Sequence, residues 1–418
     1  MCTMTRTLIR NARLFDGTGS DPYRADVLIE DGLFRAVGPD LPADGARVVD
    51  AAGRFVMPGM IDCHVHATLF GEEGLRTYAR MGVTTVKDLG GAFDDAVGLR
   101  RRQREGGVPG ARVLVVGAFV EGEPPSWGAL FPGMEVHRSE EEIDRTIARN
   151  LDAGVDGIKL YAALPPPLVR RALARVAGAV PVTGHLTATT ATEAVAAGIG
   201  GLEHLQLTLY RDLVPPEHAL GPGDTMGNPA YWGKVRRGWE AIDPASSSPL
   251  IAAMHAAGTV MVPTLVLGAR TDMGFSDEED AAFTAAQRAR LGARPAGPLP
   301  APALLERSAA NMLGVVRAMH AAGVSVLPGT DCGAVGVPPG FGYHLELALM
   351  ARAMPARDVL LAATGRAAEW LRRDDIGVIA PGRRADCVLL DGDPLADIAN
   401  ARRIAAVYMD GEAVPAAG

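Results

Sequence analysis

The sequence predicts an α/β protein: a (β/α)8 TIM barrel with a small β-sandwich domain formed from both chain termini. Three observations predict it. A junction recurs through the middle of the chain, in which a helix ends in small residues and a glycine and an apolar strand follows. Polar residues suited to metal binding or acid–base chemistry stand at the C-terminal ends of these strands. The two chain ends differ in texture, with short strand-like runs broken by turns.

In chain order, residues 6–57 carry the runs TLIRNARLF, ADVLIEDGLFRAVG and ARVVDAAGRFV. They make up too little chain for a core of their own. The first barrel strand is read in RFVMPGMIDCHVH (54–66), the third in ARVLVVGAF (111–119) and the fifth in AVPVTGH (179–185). The other five follow the recurring junction, in YARMG-VTTVKDLG (78–90), NLDAG-VDGIKLY (150–161), AVAAG-IGGLEHL (194–205), AMHAAG-TVMVPTL (253–265) and AMHAAG-VSVLPGTD (318–331). The glycine suits a helix C′ position, where a left-handed backbone is needed. Repeated helix-to-strand units imply a parallel sheet with crossover helices, and eight strands are the count of a closed barrel. An open doubly wound sheet is the alternative, but no GxGxxG follows any strand. Residues 376–414 return to the texture of the N-terminal end. The expected units are therefore 1–57 and 371–418 for the two parts of the sandwich and 58–370 for the barrel. Stretches 120–139, 206–248 and 268–302, rich in Pro, Gly and Ser, follow the third, sixth and seventh strands. They are expected as loops on the catalytic face.

Composition narrows the class. The net charge is −8 and no basic block appears, which argues against nucleic acid as a partner. No apolar run reaches membrane-spanning length, and the N-terminus lacks the apolar core of a signal peptide. The four cysteines, Cys2, Cys63, Cys332 and Cys387, form no CxxC pair and read as thiols of a cytoplasmic protein. The expected partner is a small-molecule substrate, with a homo-oligomer left open.

The chemistry lies at the strand ends. The first strand ends D-C-H-V-H, and alternation points His64 and His66 to the same side, toward the barrel axis. Two imidazoles on one strand end are a natural start for a metal site. His185, His204 and Asp331, at the ends of the fifth, sixth and eighth strands, complete it. The fourth strand carries Lys159 in V-D-G-I-K-L-Y. Only Lys87, Lys159 and Lys234 are lysine among 41 basic residues, so a lysine in an apolar strand asks for a reason. An ion pair with Asp156 or another carboxylate is the bland one. His255 and His320 occupy equivalent last-turn positions in the two AMHAAG segments and read as structural. His218 reads as solvated, and Lys87 as salt-bridged near Asp88. His137, Tyr161 and Tyr231 are candidate substrate contacts.

The motifs together resemble the amidohydrolase superfamily, in its imidazolonepropionase-like and Xaa-Pro dipeptidase-like branch. They are the opening GRFVMPGMIDCHVH, the central GIKLY, the EH, the GTD and the closing GRRADCVLLDGDPL, spread over nearly the whole chain. The resemblance implies a hydrolase with two divalent metal ions, Zn2+ by expectation. His64, His66 and Asp331 would hold the more buried ion, and His185 and His204 the more exposed one. Lys159 would bridge them as a carbamate made with carbon dioxide. Lysine can lose its proton on burial and arginine cannot, which accounts for the residue chosen. Asp331 would be the general base and then acid, and Lys159 the second catalytic position. The implied bond is an amide in a peptide-like or N-acyl amino acid substrate. Alternatives are a lactonase or phosphotriesterase on the same site, a one-metal cyclic-amide hydrolase, or a non-catalytic assembly protein. Where many dipeptidase-like relatives have a ring two residues after the fifth-strand ligand, this chain has His185-Leu186-Thr187, a departure that bears on substrate.

Overall fold

The computed structural model describes residues 6–126, 134–221, 224–226, 228–270, 283–284, 287, 302–333 and 336–415. Five strands open the chain: β1 (Arg6–Leu14), β2 (Tyr23–Glu30), β3 (Leu33–Gly38), β4 (Arg47–Asp50) and β5 (Phe55–Pro58). The barrel follows with β6 (Met60–Val65), β7 (Val83–Asp88), β8 (Arg112–Val115), β9 (Ile158–Leu160), β10 (Val182–Gly184), β11 (Gly201–Glu203) and β12 (Val260–Val262). Strands β13 (Cys387–Leu390), β14 (Ile404–Met409) and β15 (Glu412–Ala413) end it.

β6–β7–β8 and β9–β10–β11–β12 are parallel runs. Single bridges close them into a ring. Val120 pairs with Leu160, and Met261 with Val326 in the eighth barrel position. Cys332 pairs with Val65, while Cys63 N–H donates to the Pro328 carbonyl at 3.0 Å. The eighth strand expected within 318–331 is thus present as an extended segment held by bridges, not as a full ladder. The glycines of the repeated junction behave alike. Gly82, Gly154, Gly198, Gly258 and Gly323 all have φ between 65° and 89°, where a side chain is strained.

The two chain ends share a sheet, in the order β15-β14-β13-β5-β1-β2-β3 with β4 also on β1. β13 runs antiparallel to β5, from Cys387 against Pro58 to Leu390 against Phe55. The sheet curls until its far ends meet. Phe34 N–H donates to the Arg383 carbonyl and Ala385 N–H to that of Gly32, both at 2.8 Å. Val27, Ile29, Phe34, Val56, Leu389 and Tyr408 fill a core of their own inside the curl. The sandwich is therefore one continuous sheet folded over, not two separate sheets.

The stretch 206–248 differs from the loop expected there. It contains the helix Pro229–Ala241, whose Trp239 is buried and donates through Nε1 to the Gln206 carbonyl at 2.8 Å. Most of 268–302 lies outside the described residues. Among the described residues no helix is long and apolar enough to cross a membrane.

Candidate metal centre

β6 presents His64 inside the ring, and His66 follows where the strand gives way to the helix Ala67–Arg80. Lys159 is the middle residue of β9, His185 follows β10, and His204 follows β11. Asp331 ends the eighth segment. Each of these six side chains is at least nine-tenths buried.

They meet. Asp331 Oδ1 lies 3.0 Å from His66 Nε2 and 3.3 Å from His64 Nε2. The His204 ring centroid is 4.5 Å from that of His64 and 4.4 Å from that of His185. One ligand atom each from His64, His204 and Asp331 lies within 4.8 Å of the others. His204 and Asp331 have φ of 55° and 56°, a left-handed backbone that non-glycine residues adopt at a cost of about 1–3 kcal/mol and that clusters at functional sites. Gly329 of the GTD motif lets the eighth segment come this close, because a Cβ there would sit 2.4 Å from Val262 Cγ1 and 2.8 Å from His64 Cβ.

The surroundings fix the rings. His66 Nδ1 donates to the Gly90 carbonyl at 2.9 Å, leaving Nε2 for the cluster. His204 Nδ1 is hydrogen-bonded with the Thr264 hydroxyl at 3.0 Å. His64 turns Nδ1 toward Glu203 Oε2 at 3.5 Å and Nε2 toward Asp331. An outer partner on one ring nitrogen with the other free is how proteins orient metal-binding imidazoles. Asp62 underpins the group. It accepts from His64 N–H, Thr330 N–H, the Thr330 hydroxyl at 2.7 Å and the Tyr78 hydroxyl, so it ties the first strand to the eighth. Burial raises the Asp62 carboxyl to about 7, against these hydrogen bonds.

Electrostatics suit ligation. Burial, then the charge of Lys159, lowers His64 to about 3, and burial holds His185 and His204 well below the usual histidine range. These rings are neutral, which is the metal-binding form. Burial pushes the Asp331 carboxyl up, but the His64 and His66 rings that face it outweigh burial and hold it well below the ordinary value. Both ring nitrogens of His64 and of His185, and Asp331 Oδ1, are buried with no hydrogen bond among the described residues. Orphaned buried polar atoms are costly, and so many facing one another fit a divalent cation among them.

Glu203 is the site residue that sequence reading passes over. It is fully buried, takes the Thr183 hydroxyl on Oε1 at 2.7 Å, and touches Lys159 Nζ with Oε2. Asp156, the other acid considered for Lys159, is held by Arg100 and the Val115 N–H instead. Burial drives the Lys159 amine well below its usual range, and the charge of Asp331 pulls the other way.

The candidate substrate contacts separate. Tyr161 belongs to the cluster, with its ring 5.0 Å from that of His185 and stacked on Phe119. His137 does not, since both its ring nitrogens are engaged, by the Glu121 carbonyl at 3.0 Å and the Thr146 hydroxyl at 2.8 Å. Tyr231 lies within the helix Pro229–Ala241 and packs on Trp232, with no described contact to the histidines. Lys87 corrects an expectation too. It does not pair with Asp88, which accepts from the Ala67, Thr68 and Gly90 N–H groups. Adjacent strand residues point to opposite faces, so Lys87 turns inward, where Nζ lies 4.2 Å from the Trp370 ring centroid. His255 and His320 end helices away from the cluster; His320 Nε2 faces Asp358 at 3.5 Å. His218 is half-buried. His344, absent from the sequence reading, bonds the Met81 carbonyl at 2.9 Å and is structural.

The amidohydrolase family model matches residues 55–414, from the last strand before the barrel to the returning strands. The chain belongs to the amidohydrolase family. An imidazolonepropionase from Salinispora arenicola (strain CNS-205) is 27% identical over 422 residues, covering 92% of this amidohydrolase and 90% of that protein. A dihydroorotase from Streptomyces coelicolor is 38% identical, but over only 22% of each chain. Several curated relatives are thus matched over about a fifth of their length. Among solved structures, a Xaa-Pro dipeptidase with bound methionine superposes with TM-score 0.72 at 19% identity, covering 98% of this chain and 99% of that one. An A. niger ochratoxinase superposes with TM-score 0.70 at 18% identity, covering 98% and 95%. These two likenesses show the shared fold. Family membership makes this amidohydrolase a hydrolytic enzyme acting on carbon–nitrogen bonds.

Proposed function

We infer that this amidohydrolase cleaves an amide bond in a peptide-like or N-acyl amino acid substrate, at a centre for two divalent metal ions, zinc by preference. His64, His66 and Asp331 would hold the buried ion and His185 and His204 the outer one. Lys159, carbamylated on its neutral amine, would bridge them. When bound, such ions lower the pKa of water and polarise the substrate carbonyl. The chain's own groups do the rest. Asp331, a carboxylate in this setting, takes the proton of the attacking water and passes it to the leaving amine. Tyr161 and Phe119 give an aromatic wall beside His185 against which the substrate rests. A cytoplasmic setting agrees with the buried free thiols of Cys63, Cys332 and Cys387.

The observation that carries this reading is the convergence of His64, His66, His185, His204 and Asp331 from four strand ends, with Lys159 on a fifth strand beside them. A second reading, a one-metal hydrolase, is favoured by one contact. Lys159 touches Glu203, which would hold it as an ion pair and leave His64, His204 and Asp331 as the core of a single site. Metal analysis of the purified protein, with a hydrolysis panel of dipeptides, N-acyl amino acids and lactones, decides between them. Two bound equivalents and amide turnover that a chelator abolishes and zinc restores are expected. One equivalent selects the second reading. Full turnover without metal sinks both.

A further inference from the structure

On the opposite side of the barrel from the histidines, a groove of about 690 Å³ runs between the barrel and the sheet of the chain ends. One wall is the helix Ala67–Arg80, the helix Phe93–Arg104 and the turn leading into β8; the other is the β14–β15 hairpin. The groove is strongly basic although the protein carries a net charge of −8. Much of this charge is already balanced. Arg112 pairs with Asp386 and Asp410, Arg384 with Asp410, and Arg373 with Asp375. Arg100 is fixed to Asp156 and to the Ala153 and Gly154 carbonyls.

Three arginines remain. Arg76, Arg80 and Arg104 are exposed on the groove and have no acidic partner among the described residues; Arg80 Nε reaches only the Pro415 carbonyl, at 3.3 Å. Against them the groove offers one unpaired carboxylate, Glu412. Like charges gathered at one concavity repel in the absence of an anion, and guanidinium groups match the oxygens of a phosphate in paired hydrogen bonds. Val108, Pro109 and Val414 add an apolar surface beside the charges. The volume is that of a small-molecule site, and the junction of two structural units is a common place for one.

We propose that this groove binds a small organic phosphate carrying at least two negative charges, held by Arg76, Arg80 and Arg104 with its apolar body on Val108, Pro109 and Val414. Because its walls come from both the barrel and the terminal sheet, an occupant joins the two and stabilises the folded chain by mass action. The site is independent of the metal centre and does not rest on the proposed reaction.

The test is calorimetric titration of the full, metal-loaded protein with pyrophosphate and with ADP at physiological salt, alongside thermal melts. Saturable binding of both is expected, with ADP the tighter through its apolar body, and with a rise in melting temperature. The triple variant Arg76→Glu/Arg80→Glu/Arg104→Glu should weaken binding by at least about tenfold, since it removes and inverts the attraction. The milder pair Arg76→Gln/Arg104→Gln, which keeps long polar side chains, should show the same direction with an unchanged melt in the absence of ligand. Raised salt should weaken binding in the wild type. No saturable binding of either probe overturns the proposal. Unchanged affinity in both variants also overturns it, since the phosphate would then be bound at the histidine cluster on the far side.

Discussion

Lys159 can be replaced in its charge or in its chemistry, and the two replacements part company. Lys159→Arg keeps a cation but cannot take up carbon dioxide, so it should fail as fully as Lys159→Ala. The alanine variant opens a gap beside the metals. Formate, acetate or propionate added with zinc should restore part of its turnover, while the arginine variant should not respond. An active Lys159→Arg enzyme would move this protein to the one-metal reading. Asp331→Asn keeps the shape and removes the basic oxygen. Turnover should fall by roughly 10²–10⁴-fold with little change in substrate binding, as steady-state kinetics would report. Glu203→Gln leaves the Thr183 contact possible but removes the charge facing His64 and Lys159. Metal affinity measured by equilibrium dialysis should drop about 10–100-fold, the usual effect of losing an outer partner. The histidines and Asp331 were legible in the sequence because strand alternation puts residues of one parity on one face. Glu203 was not, for a specific reason. His204 takes a left-handed backbone at φ 55°, alternation breaks there, and two adjacent residues both face the site.

At the scale of the element, β7 carries a buried amine with no ion pair among the described residues. Lys87 is fully buried, its Nζ has no hydrogen bond, and burial lowers it to about 8 from 10.5. Its folded pKa lies below its unfolded one, so the unfolded chain binds more protons between about pH 8 and 10.5. Stability should therefore rise with pH across that window and carry the full penalty below it. The shift corresponds to a penalty on the order of 3 kcal/mol, partly offset by the Trp370 face. Lys87→Met should be more stable than the wild type in denaturant at pH 7, with the difference closing toward pH 10.5. A variant less stable at every pH would show that the amine is held by something stronger than the ring. The recurring glycine junction made the helix-to-strand units legible, and all five glycines hold the conformation it requires. The stretches outside that repeat were less so. His137 sits in an irregular segment and its partner Thr146 comes from the helix Glu140–Asp152, a tertiary contact that leaves no local pattern. The helix Pro229–Ala241 hides behind the proline and glycine of its flanks.

For the whole molecule, the match of texture at the two ends announced that they belong together. It did not say how, because alternation fixes which face is apolar but not which edges join. The answer is the β5–β13 pairing and the curl that brings Gly32 and Phe34 to residues 382–385. This makes the last strands part of the first strands' core. A chain ending at residue 375 would lose β13, β14 and β15 and expose Phe55, Val56 and Met57. It should be sensitive to limited proteolysis across residues 6–58 and lose the single cooperative melt. A truncated protein with full metal content and a wild-type melting temperature would show that the barrel stands without its curled sheet.

The same pairing sets a clock on synthesis. Pro58 leaves the ribosome roughly 330 residues ahead of its partner Cys387, which at 5–20 residues per second is a delay on the order of tens of seconds. Throughout that time β5 has one edge without its final neighbour, and an unpaired apolar edge invites pairing with another chain. The growing polypeptide must therefore hold its first fifty residues in a provisional state while the barrel assembles. Slower translation or higher expression lengthens or crowds that interval, so the yield of soluble enzyme should depend on whatever shields the β5 edge until the final strands arrive.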